Sequence, residues 1–200
     1  MSFTLAIIAG GKSARMGTDK SFVPILGRPL IEHLLARTAD LGQAETLLVT
    51  NRPADYAALA LPMVGDVLPE KGSLGGIYTA LHYSRSPFTL VLACDMPFVS
   101  PNLLRTMVDL SQGGAFDVIV PRVAGYPEGL HAVYSRACLP HIRERLDAGQ
   151  LKVIGFYEAV RVRYLDEAEY QPFDPKGTAF FNVNTPEELA QAQRLAQAAS

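Results

Sequence analysis

The sequence predicts an α/β fold: a mostly parallel central sheet with helices on both faces. Three observations carry this. Apolar, β-branched runs recur at 4–9, 46–50, 88–93, 117–120, 160–165 and 180–183. Between several of them lie segments with helical apolar spacing and helix start signals. A glycine-rich loop follows the first run directly. Runs that are apolar almost throughout suit strands covered on both faces, which is the setting of parallel sheets. Strand and helix in alternation imply βαβ units with right-handed crossovers. In such a sheet the ligand lies at the carboxyl ends of the strands, near a switch in strand order.

Each helix has a local reason. Over 29–41, Leu30, Leu34, Leu35 and Leu41 fall on one stripe after Pro29 in a first-turn position. Over 101–111, Ser100 is placed to cap and Pro101 occupies the first helical position. Over 185–198, Thr185 caps, Pro186 follows, and Glu188 completes a capping box. The stretch 121–135 breaks the rhythm: it is rich in turn residues, then alternates at 130–134. It reads as an active-site loop followed by a strand that can run antiparallel. With no repeats, charge runs or linker, residues 1–200 are expected to form a single domain.

Composition narrows the function. The 200 residues are 48% hydrophobic and 19% charged, with a net charge of −2, which argues against disorder and against a chain-wide basic face for nucleic acid. That average hides a local excess. Residues 1–31 hold four cations (Lys12, Arg15, Lys20, Arg28) against one anion, Asp19. Cys94 and Cys138 are the only cysteines, too few for a zinc site of their own or a disulfide framework. The first apolar run is too short for a signal core or a membrane span. A cytoplasmic protein without membrane contact is expected.

The first loop, AGGKSARMGTDK at 9–20, is the strongest local feature. Gly10 and Gly11 let the backbone turn sharply and approach a ligand. Amides converging in such a turn form an anion nest. Lys12, Arg15 and Lys20 add a planar fork and point charges for phosphate oxygens. The pattern is neither GxxxxGK[ST] nor GxGxxG. It does resemble the signature LAGGxSxRMGxDK of the molybdenum cofactor guanylyltransferase family, and the later motifs fall in family order over nearly the whole chain. The resemblance implies a three-layer, Rossmann-like nucleotidyltransferase fold of the GT-A type. It implies nucleotide and phosphate binding at Ala9, Gly10, Gly11 and Arg15, with Lys20 neutralising phosphate charge.

Asp95 ends the apolar run FTLVLAC and precedes Met96-Pro97-Phe98. A carboxylate at the tip of a buried strand is costly without a partner. Mg²⁺ is the natural one, since it takes one or two carboxylates plus phosphate oxygens. The CDMPF string resembles the family's metal motif. Helix capping is the competing role for Asp95, but Ser100 fills it better. Cys94 reads as a small buried residue rather than a nucleophile.

Asn51, in VTNRP, closes the second strand, where a polar side chain faces the crevice or forms a turn. Asp66 and GSLGG at 72–76 follow. The family reads GPLAG or GPLGG, so Ser73 is a departure. The resemblance implies guanine and ribose recognition around Asp66, Gly75 and Gly76; Asp66 as a loop cap is the other reading. YPEGLHA at 126–132 resembles the family's HPEPLHA, with Tyr126 and Gly129 departing and Glu128 and His131 matching. His131 by itself reads as a hydrogen-bonded structural residue. FFNVNTPEEL resembles FxNVNTPEEL. Asn182 and Asn184 would share one strand face toward the site, with Val183 packed behind.

The resemblance implies Mg²⁺-dependent transfer of GMP from GTP to the terminal phosphate of molybdopterin, with release of pyrophosphate. The catalytic set would be Arg15, Lys20 and Asp95. It also implies transient docking to enzymes that accept the cofactor, at a surface the sequence does not locate. The alternatives are a cytidylyltransferase for the same cofactor, a transferase acting on another phosphorylated small molecule such as a sugar-1-phosphate, and a non-catalytic nucleotide-binding adaptor.

Overall fold

A computed structural model describes residues 2–9 and 20–198. Strand β1 (Phe3–Ile8) lies at the middle of the sheet and is buried along its whole length. It pairs in parallel with β4 (Glu45–Val49) on one side and β6 (Phe88–Ala93) on the other. Beyond β4 lies the short parallel strand β5 (Met63–Val64). Beyond β6 lies β9 (His131–Ser135), antiparallel to β6 and to β7 (Val118–Val123). At the far edge β10 (Val162–Leu165) pairs in parallel with β7. The order is β10-β7-β9-β6-β1-β4-β5, with β8 (Tyr126–Pro127) folded back on β7. A small antiparallel pair, β2 (Pro24–Ile25) and β3 (Arg28–Pro29), stands apart.

Three layers follow from the alternation along β1. Leu5 and Ile7 enter one core with Ile31 and Leu34 of α1 (Leu30–Thr38) and Leu103, Leu104 and Met107 of α3 (Pro101–Gln112). Ala6 and Ile8 enter the other, with Leu74, Ile77 and Leu81 of α2 (Gly72–Tyr83) and Ile142 and Leu146 of α4 (Leu139–Asp147). Burial of apolar area on both faces is the main stabilising term here. A third cluster joins Ile25, Leu30, Phe98 and Val183 to Ala192 and Ala196 of α6 (Pro186–Gln197). A short α5 (Glu167–Tyr170) follows β10.

Two of the three start signals operate as expected; Pro29 instead belongs to β3 and precedes α1, which ends at Thr38 short of Leu41. The Ser100 hydroxyl accepts from the Leu103 N–H at 3.4 Å. Thr185 and Glu188 form a reciprocal capping box, at 3.2 and 2.9 Å. Among the described residues no helix is long and apolar enough to cross a membrane.

Two expectations are corrected. Residues 180–183 are not a strand. The buried carboxylate of Asp174 accepts the Thr178 and Ala179 N–H groups, both at 2.9 Å, and Phe181 N–H bonds Thr178 O at 3.0 Å. These turns divert the backbone from any ladder. Within 121–135, the first part is a tight hairpin rather than an open loop. Ala124 (φ 50°) and Gly125 (φ 84°) turn β7 into β8, and the antiparallel β9 then follows as expected.

Candidate nucleotide-binding site

The chain passes from β1 to β4 and β5, then returns to the other side of β1 as β6. The switch in strand order therefore lies between β1 and β6, and a crevice is expected at their carboxyl ends. The candidate residues gather along this edge. Ala9 N–H bonds Val49 O at 2.9 Å, and Cys94 N–H bonds Ile8 O at 3.2 Å. The ends of β1, β4 and β6 thus lie level, and Asp95 sits two residues past β6, half-buried. The first loop leaves from this point. Gly10, Gly11, Lys12, Arg15 and the side chain of Lys20 lie outside the described residues; the main chain of Lys20 opens a single 3₁₀ turn, Lys20–Phe22.

Asn51 follows β4 and Asp66 follows β5, and the two are bonded twice. Asn51 Nδ2 donates to Asp66 Oδ2 at 2.8 Å, and the Asp66 N–H donates to Asn51 Oδ1 at 2.8 Å. The next residue is also held, because Val67 N–H donates to the Thr79 hydroxyl at 3.0 Å. Thr79, on α2, in turn donates to Gly75 O at 2.9 Å.

Gly75 and Gly76 are buried, and what their bare Cα atoms accommodate is protein. A Cβ at Gly75 would lie 2.6 Å from Lys71 Cβ; one at Gly76 would lie 3.1 Å from two carbons of Ile8. The expected reason for these glycines was approach to a ligand. The packing of α2 against β1 and its own first turn is a sufficient reason.

The 182–184 segment reaches the site by a route other than the expected strand. Val183 N–H donates to the main-chain oxygen of Asp95 at 3.0 Å, and Val183 is buried behind it, as expected. Asn182 is half-buried, with Nδ2 on Phe180 O at 3.3 Å; Asn184 is exposed, with its N–H on Glu188 Oε2 at 2.6 Å. The period-two argument for a shared face does not hold, since no strand forms.

His131 opens β9 opposite Leu92 and is fully buried. Neither ring nitrogen has a hydrogen-bond partner, contrary to expectation; the ring packs on Phe180 with centroids 4.7 Å apart. Burial pushes its pKa down to about 3, so the ring is neutral. Burial also raises the Glu128 carboxyl above the usual range. Gly129, where a Cβ would fall 2.4 Å from Val153 Cγ1, gives its carbonyl to the Tyr134 hydroxyl at 2.7 Å, and Tyr134 shares a 3.0 Å bond with Tyr157. The loop 126–131 is thus anchored from beneath by two buried tyrosines, which the sequence reading did not single out. It also missed Ser21 and Tyr56, whose hydroxyls share a 2.9 Å bond beside the site. No local pattern marks these residues, because their partners are distant in sequence.

A doubly wound sheet, with a carboxylate past the strand beside β1 and a glycine-rich, cationic sequence after β1, suits a nucleotide-binding protein of the α/β class. Comparison with known families agrees: residues 5–162 match the MobA-like NTP transferase domain. The chain belongs to this family and is a nucleotidyltransferase. It is 39% identical to a probable molybdenum cofactor guanylyltransferase of Pelotomaculum thermopropionicum, over 97% of this chain and 93% of that one. It is 33% identical to a molybdenum cofactor guanylyltransferase of Desulfosudis oleivorans, over 96% and 95%. Among solved structures it resembles the molybdopterin-guanine dinucleotide biosynthesis protein A of Archaeoglobus fulgidus, with a TM-score of 0.84 and 28% identity over 98% and 99% of the two chains. It also shares the fold of 2-C-methyl-D-erythritol 4-phosphate cytidylyltransferase from Thermus thermophilus, with a TM-score of 0.71 and 18% identity over 96% of this chain and 98% of that one.

Proposed function

We propose that this chain transfers GMP from GTP to the terminal phosphate of molybdopterin, releasing pyrophosphate. The observation that carries the reading is the position of Asp95 at the tip of β6, level with the end of β1 from which the first loop departs. A carboxylate and a cationic, glycine-rich loop at one switch point suit a metal-bound triphosphate. The names of the relatives supply the base and the acceptor.

The donor set fits a hard divalent cation. No group of three or more His, Cys, Asp or Glu side chains that could hold a metal occurs among the described residues. Asp95 offers a hard carboxylate oxygen at the strand end, the kind of donor Mg²⁺ takes together with phosphate oxygens and waters. Asp95 would hold it, and it would supply charge neutralisation at the triphosphate.

In the proposed reaction an oxygen of the acceptor phosphate bonds to the α-phosphorus of GTP. The bond from that phosphorus to the bridging oxygen breaks, and pyrophosphate leaves with the electron pair. The acceptor is already ionised at neutral pH, so no general base is required. The amides of Gly10 and Gly11, Arg15 and Lys20 would carry charge developing on pyrophosphate. Asp66, oriented by Asn51, would accept from the N1–H and 2-amino groups of guanine. The helix start around Gly75 and Gly76 would face the ribose. Asn182 and Asn184 would flank the acceptor. Catalysis would be mostly positioning and electrostatics. Purified protein given each NTP in turn, with Mg²⁺ and molybdopterin, tests the reading through pyrophosphate release. Brief docking to enzymes that receive the product belongs to the same proposal.

A further inference from the structure

A hydrogen-bonded chain beside the site has no part in the reaction as written above. Tyr56 and Ser21 are both fully buried, and their hydroxyls share a 2.9 Å bond. The Ser21 hydroxyl also donates to Cys94 Sγ at 3.1 Å. Either hydroxyl can donate in the Tyr56–Ser21 bond. The chain ties together three segments distant in sequence: the 3₁₀ turn after the first loop, the 3₁₀ segment Pro53–Leu59 after β4, and the end of β6. Phe22 packs on the Tyr56 ring, with centroids 4.8 Å apart.

Two of its members adjoin the two charges on which the proposed reaction depends. Ser21 directly follows Lys20, and Cys94 directly precedes Asp95. Apolar side chains of matched shape could fill this space at little cost in stability. Directional bonds at this point hold two main-chain segments at a fixed separation.

We propose that Tyr56, Ser21 and Cys94 form a positioning brace. It sets the main chain at Lys20 against the main chain at Asp95, so that phosphate cation and metal carboxylate address one triphosphate together. The brace rests on the nucleotidyl-transfer reading of the site. Small misplacements between such groups lower the rate of the chemical step more than they lower binding.

The test uses Tyr56→Phe, which keeps the ring and its contact with Phe22, together with Ser21→Ala and the double variant. Steady-state transfer, thermal melting and amide hydrogen exchange are measured on the full chain. Each single variant is expected to lower kcat about tenfold. KM for GTP should stay within about twofold, which separates positioning from binding. The double variant should be no worse than the worse single, because both break one network. Exchange should accelerate at residues 20–22. Unchanged kcat, or losses that add in the double variant, overturns the brace. If wild-type protein transfers no nucleotide, the reaction reading falls. Exchange then decides the brace alone: acceleration at 20–22 in Tyr56→Phe supports it, and unaltered exchange overturns it.

Discussion

Asn51 and Asp66 hold each other through two 2.8 Å bonds, one from side chain to side chain and one from the Asp66 main chain to the Asn51 side chain. The pair is asymmetric. Asn51→Ala removes both bonds, whereas Asp66→Ala leaves the main-chain bond in place. Each bond of this kind contributes on the order of 1 kcal/mol. Asn51→Ala is therefore expected to raise KM for GTP by about tenfold through loss of loop order. Asp66→Ala should chiefly erode the preference for GTP over CTP. Initial rates with both nucleotides separate the two effects; equal behaviour of the variants would contradict the pairing as a recognition device.

Asp95→Asn keeps the shape of the strand tip but removes the charge. It is expected to abolish metal-dependent transfer while leaving the melting temperature within a few degrees of wild type, since Asp95 is only half-buried. Lys20→Ala should lower kcat/KM by about 2–4 kcal/mol of transition-state stabilisation, by analogy with removal of one oxyanion donor. Near-wild-type turnover in either variant would contradict its assigned role.

The buried imidazole of His131 makes a pH prediction. Its folded pKa is depressed to about 3 from an ordinary 6.5, by burial without a partner. As pH falls below about 6.5 the unfolded chain takes up this proton and the folded chain does not. Stability is therefore expected to decline as pH drops from about 6.5 toward 3, with His131 contributing to the slope. Denaturant melts across that window should show a shallower decline in His131→Leu. An unchanged slope would mean that the ring is protonated in the folded state.

Gly75→Ala sets two known effects against each other. Alanine favours a helix interior over glycine by roughly 1 kcal/mol. The new methyl would meet Lys71 Cβ, an atom fixed to the backbone, at 2.6 Å. Overpacking of that kind costs about 1–3 kcal/mol. A net destabilisation is expected, readable as a lower denaturation midpoint; a stabilised variant would contradict the packing reason for this glycine.

How far the sequence was legible depends on the range of the interaction. Short-range signals carried through: the Ser100 cap, the Thr185–Glu188 box, and the apolar run that delivers Asp95 to a strand end all depend on neighbours within a few residues. Phe180, Phe181 and Val183 look like a strand, but the backbone there is claimed by Thr178 and Asp95, which composition cannot reveal. His131 is enclosed within the sheet and packs on Phe180, 49 positions away, and Tyr56 meets Ser21 across 35 positions. Gly75 and Gly76 stood out as glycines, and the atoms nearest an added Cβ belong to Lys71 and Ile8, which the sequence does not place beside them. The fold was readable because layers follow from periodicity. The side-chain partners of the site were not, because they depend on which strand ends the topology makes adjacent.

The proposed reaction is metal-dependent guanylyl transfer. The most direct measurement is pyrophosphate release from GTP, CTP, ATP and UTP in turn, with molybdopterin as acceptor, with and without Mg²⁺. Release with GTP far above the other three is expected, with loss of release when Mg²⁺ is chelated and a product carrying GMP on the acceptor phosphate. Preference for CTP, or transfer that survives removal of the metal, would contradict it.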